Sequence, residues 1–122
     1  NTMVEMARCE IAPAVEAYIK ELAKTAALKK SVSDEVSVVY ENTLIKKLSV
    51  LTERIFLAAS DLENALLTVD QHDNVIDESA DIRDTLLVKM NELRVPCDEA
   101  ETLTARKYWP FPTYGDLLFG VN

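Results

Sequence analysis

Two glycines, two cysteines, one histidine and one tryptophan are all that this chain of 122 residues contains of those types. The glycines are Gly115 and Gly120, so residues 1–114 have none. A body without glycine cannot build the Gly-rich loops that cradle phosphates, and its shortage of turn residues argues for a few long helices with short links. Basic residues are also scarce: 13 Lys and Arg against 21 Asp and Glu, a formal net charge of -8. They come at most in pairs such as Lys29-Lys30 and Lys46-Lys47. Nucleic acid and anionic membranes both need clustered cations, so neither is an expected partner. No apolar run approaches the length of a membrane span, and no signal-peptide pattern is present. Cys9 and Cys97 lack any short ligand spacing, which speaks against zinc. They read as two reduced thiols of a cytoplasmic protein, with a disulfide left open.

What is there begins with the hydrophobic fraction. At 48% it is that of a folded protein of about one domain. Met3, Ala7, Ile11, Ala14, Tyr18 and Leu22 recur at spacings of four and three, one face of a helix. Pro13 lies within that pattern and predicts a kink near Cys9 to Pro13. No firm helix start precedes Met3, although Thr2 and Glu5 have the form of a capping box. The chain is therefore expected to be cut from a longer polypeptide. The first helix is predicted to end around Lys29 to Ser31. Ser33-Asp34-Glu35 then has the form of a capped start for a second.

The second helix carries the cleanest pattern. Leu44, Leu48, Leu51, Ile55, Ala58, Leu62, Ala65 and Val69 form a heptad seam over more than three heptads. Ile45, Leu66 and Leu67 widen the stripe, which predicts packing against two neighbours. The seam reads as the core of a bundle, with a coiled-coil surface for another chain as the alternative. Asp70 to Asn74 is a polar break. A third helix follows, with Ile76, Ile82, Leu86, Met90 and Leu93 as core candidates. Val95-Pro96 predicts a kink or stop, and Pro96-Cys97-Asp98-Glu99 a fresh start for a short helical piece to about Lys107. The expected fold is all-α: an up-down antiparallel three-helix bundle over residues 1–107, with kinks at Pro13 and near Pro96.

Chemistry is sparse in this pattern. His72 lies among Asp70, Asp73, Asp77 and Glu78. A divalent ion there is one reading; a solvated inter-helix turn is the plainer one, because metal loops usually need a glycine-assisted turn. The acidic pairs Asp34/Glu35, Asp77/Glu78 and Asp98/Glu99 suit helix starts better than catalysis. No catalytic, cofactor-binding or metal-binding residue is assigned.

The last fifteen residues differ from everything before them. Five of the eight aromatics, both glycines and two of the four prolines fall in residues 108–122. A tail this apolar must dock, either on its own bundle or on a neighbouring subunit. The docking candidates are Trp109, Phe111, Tyr114, Leu117, Leu118 and Phe119, with Pro110 and Pro112 stiffening the segment.

The run Trp109-Pro110-Phe111-Pro112-Thr113-Tyr114 with the apolar turn after it resembles the C-terminal end of type III glutamine synthetases. Glu10-Ile11-Ala12-Pro13-Ala14-Val15 is similar to that family's proline-bearing helix. Met90-Asn91-Glu92-Leu93-Arg94 and Asp98-Glu99-Ala100-Glu101 are similar to its last long helix. Val95-Pro96-Cys97 departs from the family, falling where an unbroken helix is expected. The resemblance implies a non-catalytic helical domain of an ATP-dependent glutamate–ammonia ligase. Its partners would be the rest of the parent chain and neighbouring subunits of a homo-oligomeric double ring. ATP and a divalent metal, Mg or Mn, would belong to the parent enzyme, since none of the family's catalytic motifs is found here. A free-standing helical interaction module, its aromatic tail binding a partner, is the alternative.

Overall fold

A computed structural model describes residues 2–70, 75–105 and 108 of the chain, with side chains at 2–69, 82–105 and 108. The inter-helix turn around His72 and the tail from Trp109 onward lie outside the described residues. So does the side chain of the core candidate Ile76.

Every regular element among the described residues is helical. α1 spans Thr2–Met6, and a π-helical segment, Ala7–Ile11, joins it to α2, Ala12–Val32. α3 spans Val39–Asp70 and α4 spans Val75–Leu103. Arg8 pairs with Glu63 near one end of α3 while Lys29 pairs with Glu41 at the other, so α2 and α3 are antiparallel. Lys89 with Asp61 and Arg54 with Glu99 fix α4 antiparallel to α3 in the same way. Among the described residues α2 and α4 each pack chiefly on α3. The central place of α3 agrees with the wide apolar stripe in its sequence.

Leu48, Leu51, Ile55 and Leu62 of the heptad seam are buried, and Leu44, Ala65 and Val69 are half-buried. Ala59, not Ala58, is the fully buried alanine, and Leu67 is exposed instead of widening the stripe. On α4, Leu93 is buried, while Ile82, Leu86 and Met90 are half-buried.

Where the sequence reading expected a kink near Cys9 to Pro13, the backbone has the π-helical segment Ala7–Ile11 just before the proline. Its ring lacks an N–H and crowds the carbonyl four residues back. The helix absorbs this as π turns, with the Ala12 N–H bonding the Ala7 carbonyl, five residues earlier. The extra residue advances the buried face. Val4, Ala7 and Ile11 are buried before it, and Val15 is fully buried after it in place of Ala14.

Three boundaries differ from the sequence reading. α2 ends at Val32, close to expectation, but Ser33 closes it instead of opening α3. Its backbone is extended (φ -167°, ψ 144°) and its N–H bonds the Lys29 carbonyl at 3.4 Å. The Ser33 and Ser37 hydroxyls accept the Glu35 and Val39 N–H groups at 3.2 and 3.3 Å, holding a turn that competes with helix. α3 therefore starts at Val39, not near Asp34. The third difference is at Pro96. α4 runs through it without a stop, and the piece expected to start there is the end of α4. An internal proline costs a helix about 3 kcal/mol; here the ring is fully buried in the core, and that burial offsets part of the penalty.

Candidate docking surfaces

All six docking candidates, Trp109, Phe111, Tyr114, Leu117, Leu118 and Phe119, lie outside the described residues. The place where their segment begins does not. After α4, the Thr104 N–H bonds the Ala100 carbonyl and the Tyr108 N–H bonds the Ala105 carbonyl, both at 2.9 Å. The Tyr108 ring then meets Tyr18 of α2, centroids 5.5 Å apart and planes tilted by 33°. Such aromatic pairs contribute about 0.5–1.5 kcal/mol beyond their buried area. The chain thus leaves α4 and crosses to α2. Burial, a hydrogen bond to the Tyr40 hydroxyl and the two neighbouring phenols push the Tyr18 pKa up. The sequence reading placed Tyr18 on the core face but gave it no partner.

The close of α2 and the start of α3 lie together at one end of the molecule, where Lys29 pairs with Glu41. Leu28, Val32, Val39 and Tyr40 stand out from it, 64–80% exposed. Glu41 lies next to Tyr40 yet is only 3% exposed. One of its oxygens accepts from Lys29 Nζ at 2.6 Å, and the other, Oε1, has no hydrogen-bond partner. The buried Thr104 hydroxyl at the end of α4 has none either. Sequence reasoning missed Glu41, although the signal was present: it stands three residues before Leu44, where the heptad seam would continue.

Lys29 as a hydrogen-bonding cation is the main cause that lowers the Glu41 pKa, and Arg8 does the same for Glu63. A carboxylate whose folded pKa is depressed stabilises the fold above its unfolded value, about 4.3. That contribution is lost as pH falls through the folded value. Glu41→Gln is therefore expected to lower the thermal midpoint at neutral pH and to change it little at pH 3. Thermal melts of both chains from pH 7 to pH 3 check this.

A second surface runs along α3 and α4. A groove of about 580 Å³ is lined by Lys46, Lys47, Val50, Arg54, Glu99 and Leu103. Another of about 580 Å³ continues it past Leu57, Asp61, Asn91 and Val95. The Lys89–Asp61 ion pair at 2.6 Å spans the two helices here, and Arg54 and Glu99 approach to 3.9 Å. These grooves are charged along their rims and open to solvent.

Among the described residues no three His, Cys, Asp or Glu side chains gather as metal ligands, and no helix is long and apolar enough to cross a membrane. Cys9 is exposed and Cys97 half-buried, and both are free thiols. Burial, with Asp98 beside it, pushes the Cys97 pKa up to about 11. The thiolate is the reactive form. At pH 7.5 a maleimide should therefore label Cys9 quickly and Cys97 at least tenfold more slowly. Mass spectrometry over time should show a stable singly labelled chain.

A glutamine synthetase from Butyrivibrio fibrisolvens is 32% identical to this chain over 121 residues. The match takes in 99% of this chain and 17% of that enzyme, so the chain spans about a sixth of the length of the curated relative it matches. No family model and no solved structure matches the chain.

Proposed function

We propose that this chain is a helical segment of a glutamine synthetase of the type III kind, serving subunit packing or regulation and not the chemical step. The observation that carries the reading is the extent of the match: 32% identity along nearly the whole chain, against a narrow slice of a much longer enzyme. The parent would join glutamate and ammonia at the expense of ATP, with Mg or Mn, in the cytoplasm. The described residues do not fit those cofactors. They bring no three ligating side chains together, and residues 1–114 have no glycine with which to build a phosphate loop. The reading leaves ATP and metal to other parts of the parent, because none of the family's catalytic motifs is found in this sequence. The partners proposed for this segment are the rest of that polypeptide and neighbouring subunits of a homo-oligomeric double ring.

The test starts from the native protein. An antibody against this chain should capture a polypeptide several times longer than 122 residues, in a large assembly that forms glutamine from glutamate, ammonia and ATP. Deleting Trp109 to Asn122 from that polypeptide should reduce the share of protein in the large assembly, read by light scattering. Capture of a polypeptide of only 122 residues with no such activity would overturn the proposal in favour of a free-standing interaction module.

A further inference from the structure

The two grooves between α3 and α4 share Arg54 and form the halves of one face with an apolar floor and charged rims. We infer that this face binds a second copy of the same chain about a two-fold axis, with α3 of each copy antiparallel to α3 of the other.

Charge argues for it first. Lys46 and Lys47 stand at one end of the face, Asp61 and Glu92 at the other, and Arg54 and Glu99 between them. Three cations thus meet three carboxylates, so the face is neutral on a chain of net charge -8. An acidic or a basic partner would match one end and oppose the other. A second copy matches both, because a two-fold axis through Arg54 and Glu99 exchanges the ends. Each copy then sets Lys46 and Lys47 against Asp61 and Glu92 of the other. The Arg54–Glu99 pairs, 3.9 Å within each copy, alternate in sign across the axis.

The apolar side chains obey the same axis. Val50 and Leu57, both 56% exposed, lie seven residues apart on one face of α3. Their midpoint falls between Glu53 and Arg54, which is also the midpoint of Lys46 and Asp61. On α4 the midpoint of Val95 and Leu103, one in each half of the face, is Glu99. Antiparallel pairing about these points puts Val50 on Leu57 of the second copy, and Val95 by its Leu103. The arrangement that pairs the charges therefore also takes the exposed apolar groups out of water, as a self-complementary two-fold interface requires. From Lys46 to Asp61 the contact runs about 22 Å along α3.

Light scattering on the 122-residue chain should show a single-chain mass at about 1 μM that doubles by about 1 mM. Lys46→Glu with Lys47→Glu, and separately Asp61→Lys with Glu92→Lys, should each weaken association at least tenfold, with helix content by circular dichroism unchanged. An equimolar mixture of those two variants should restore it, since each then meets its opposite at both ends. Val50→Cys and Leu57→Cys, made as separate chains in a Cys9→Ser background, should form a disulfide-linked heterodimer when mixed and oxidised with diamide, and little homodimer alone. Like positions sit about 10 Å apart across the axis, beyond the reach of a disulfide. A single-chain mass at about 1 mM would overturn the inference. So would a dimer indifferent to both charge variants, a mixture no tighter than its components, or homodimers as abundant as the heterodimer. The inference gives the subunit packing proposed above a surface, but its test uses this chain alone, so it stands or falls separately from the identity of the parent enzyme.

Discussion

Leu48→Ala should lower the unfolding free energy by about 2–5 kcal/mol. Leu48 is fully buried on α3, the helix that both neighbours share. Truncation removes apolar atoms and leaves a cavity that helices held on two sides cannot easily close. Domains of this size are stable by only about 5–15 kcal/mol, so the loss is a large share of the total. At about 4 °C per kcal/mol for a domain of this length, the thermal midpoint should drop by roughly 8–20 °C. Val50→Ala, two residues away and 56% exposed, should stay within about 0.5 kcal/mol of the parent. Urea melts of the three chains measure both. Equal losses at the two positions would mean that α3 is not oriented as described.

Ala59→Leu should destabilise by about 1–3 kcal/mol, for the opposite reason. Ala59 has no exposed surface, and the sequence pattern favoured Ala58 for that place. A leucine at 59 has no room unless the helices part, because packed interiors leave few voids larger than a water molecule. Ala58→Leu, at a half-buried position, should cost less. The order of the two midpoints in urea decides which alanine faces the core. The reverse order would restore the seam as the heptads wrote it.

These two alanines show what could be read in advance. Heptad spacing located α3, its central place and most of its buried residues, because burial follows helical periodicity whatever the partner is. It could not choose between adjacent small residues, where one step of a hundred degrees separates core from rim. The π segment was hidden for a related reason. Pro13 announced a disturbance, but whether a helix bends, stops or widens depends on the packing around it, and here that packing moved the buried position from Ala14 to Val15. At Pro96 the stop and fresh start are absent: α4 continues through it, with the ring buried. Ser33 misled because the same side chain closes a turn or opens a helix, depending on the three β-branched residues Val36, Val38 and Val39 that follow. The exposure of Leu28, Val32, Val39 and Tyr40 is set by how the close of α2 meets the start of α3, and no single stretch of sequence records that.

With both neighbours leaning on α3, the molecule has an order in which it can come apart. α4 can detach and leave an α2–α3 hairpin whose contacts remain, and α2 can detach from α3–α4 in the same way. Loss of α3 removes the helix on which both chiefly pack. Backbone amides of α3 should thus exchange only through global opening, while those of α2 and α4 have cheaper partial routes. A chain built in this way fails from its flanks inward, and its middle helix is the last to yield to a protease.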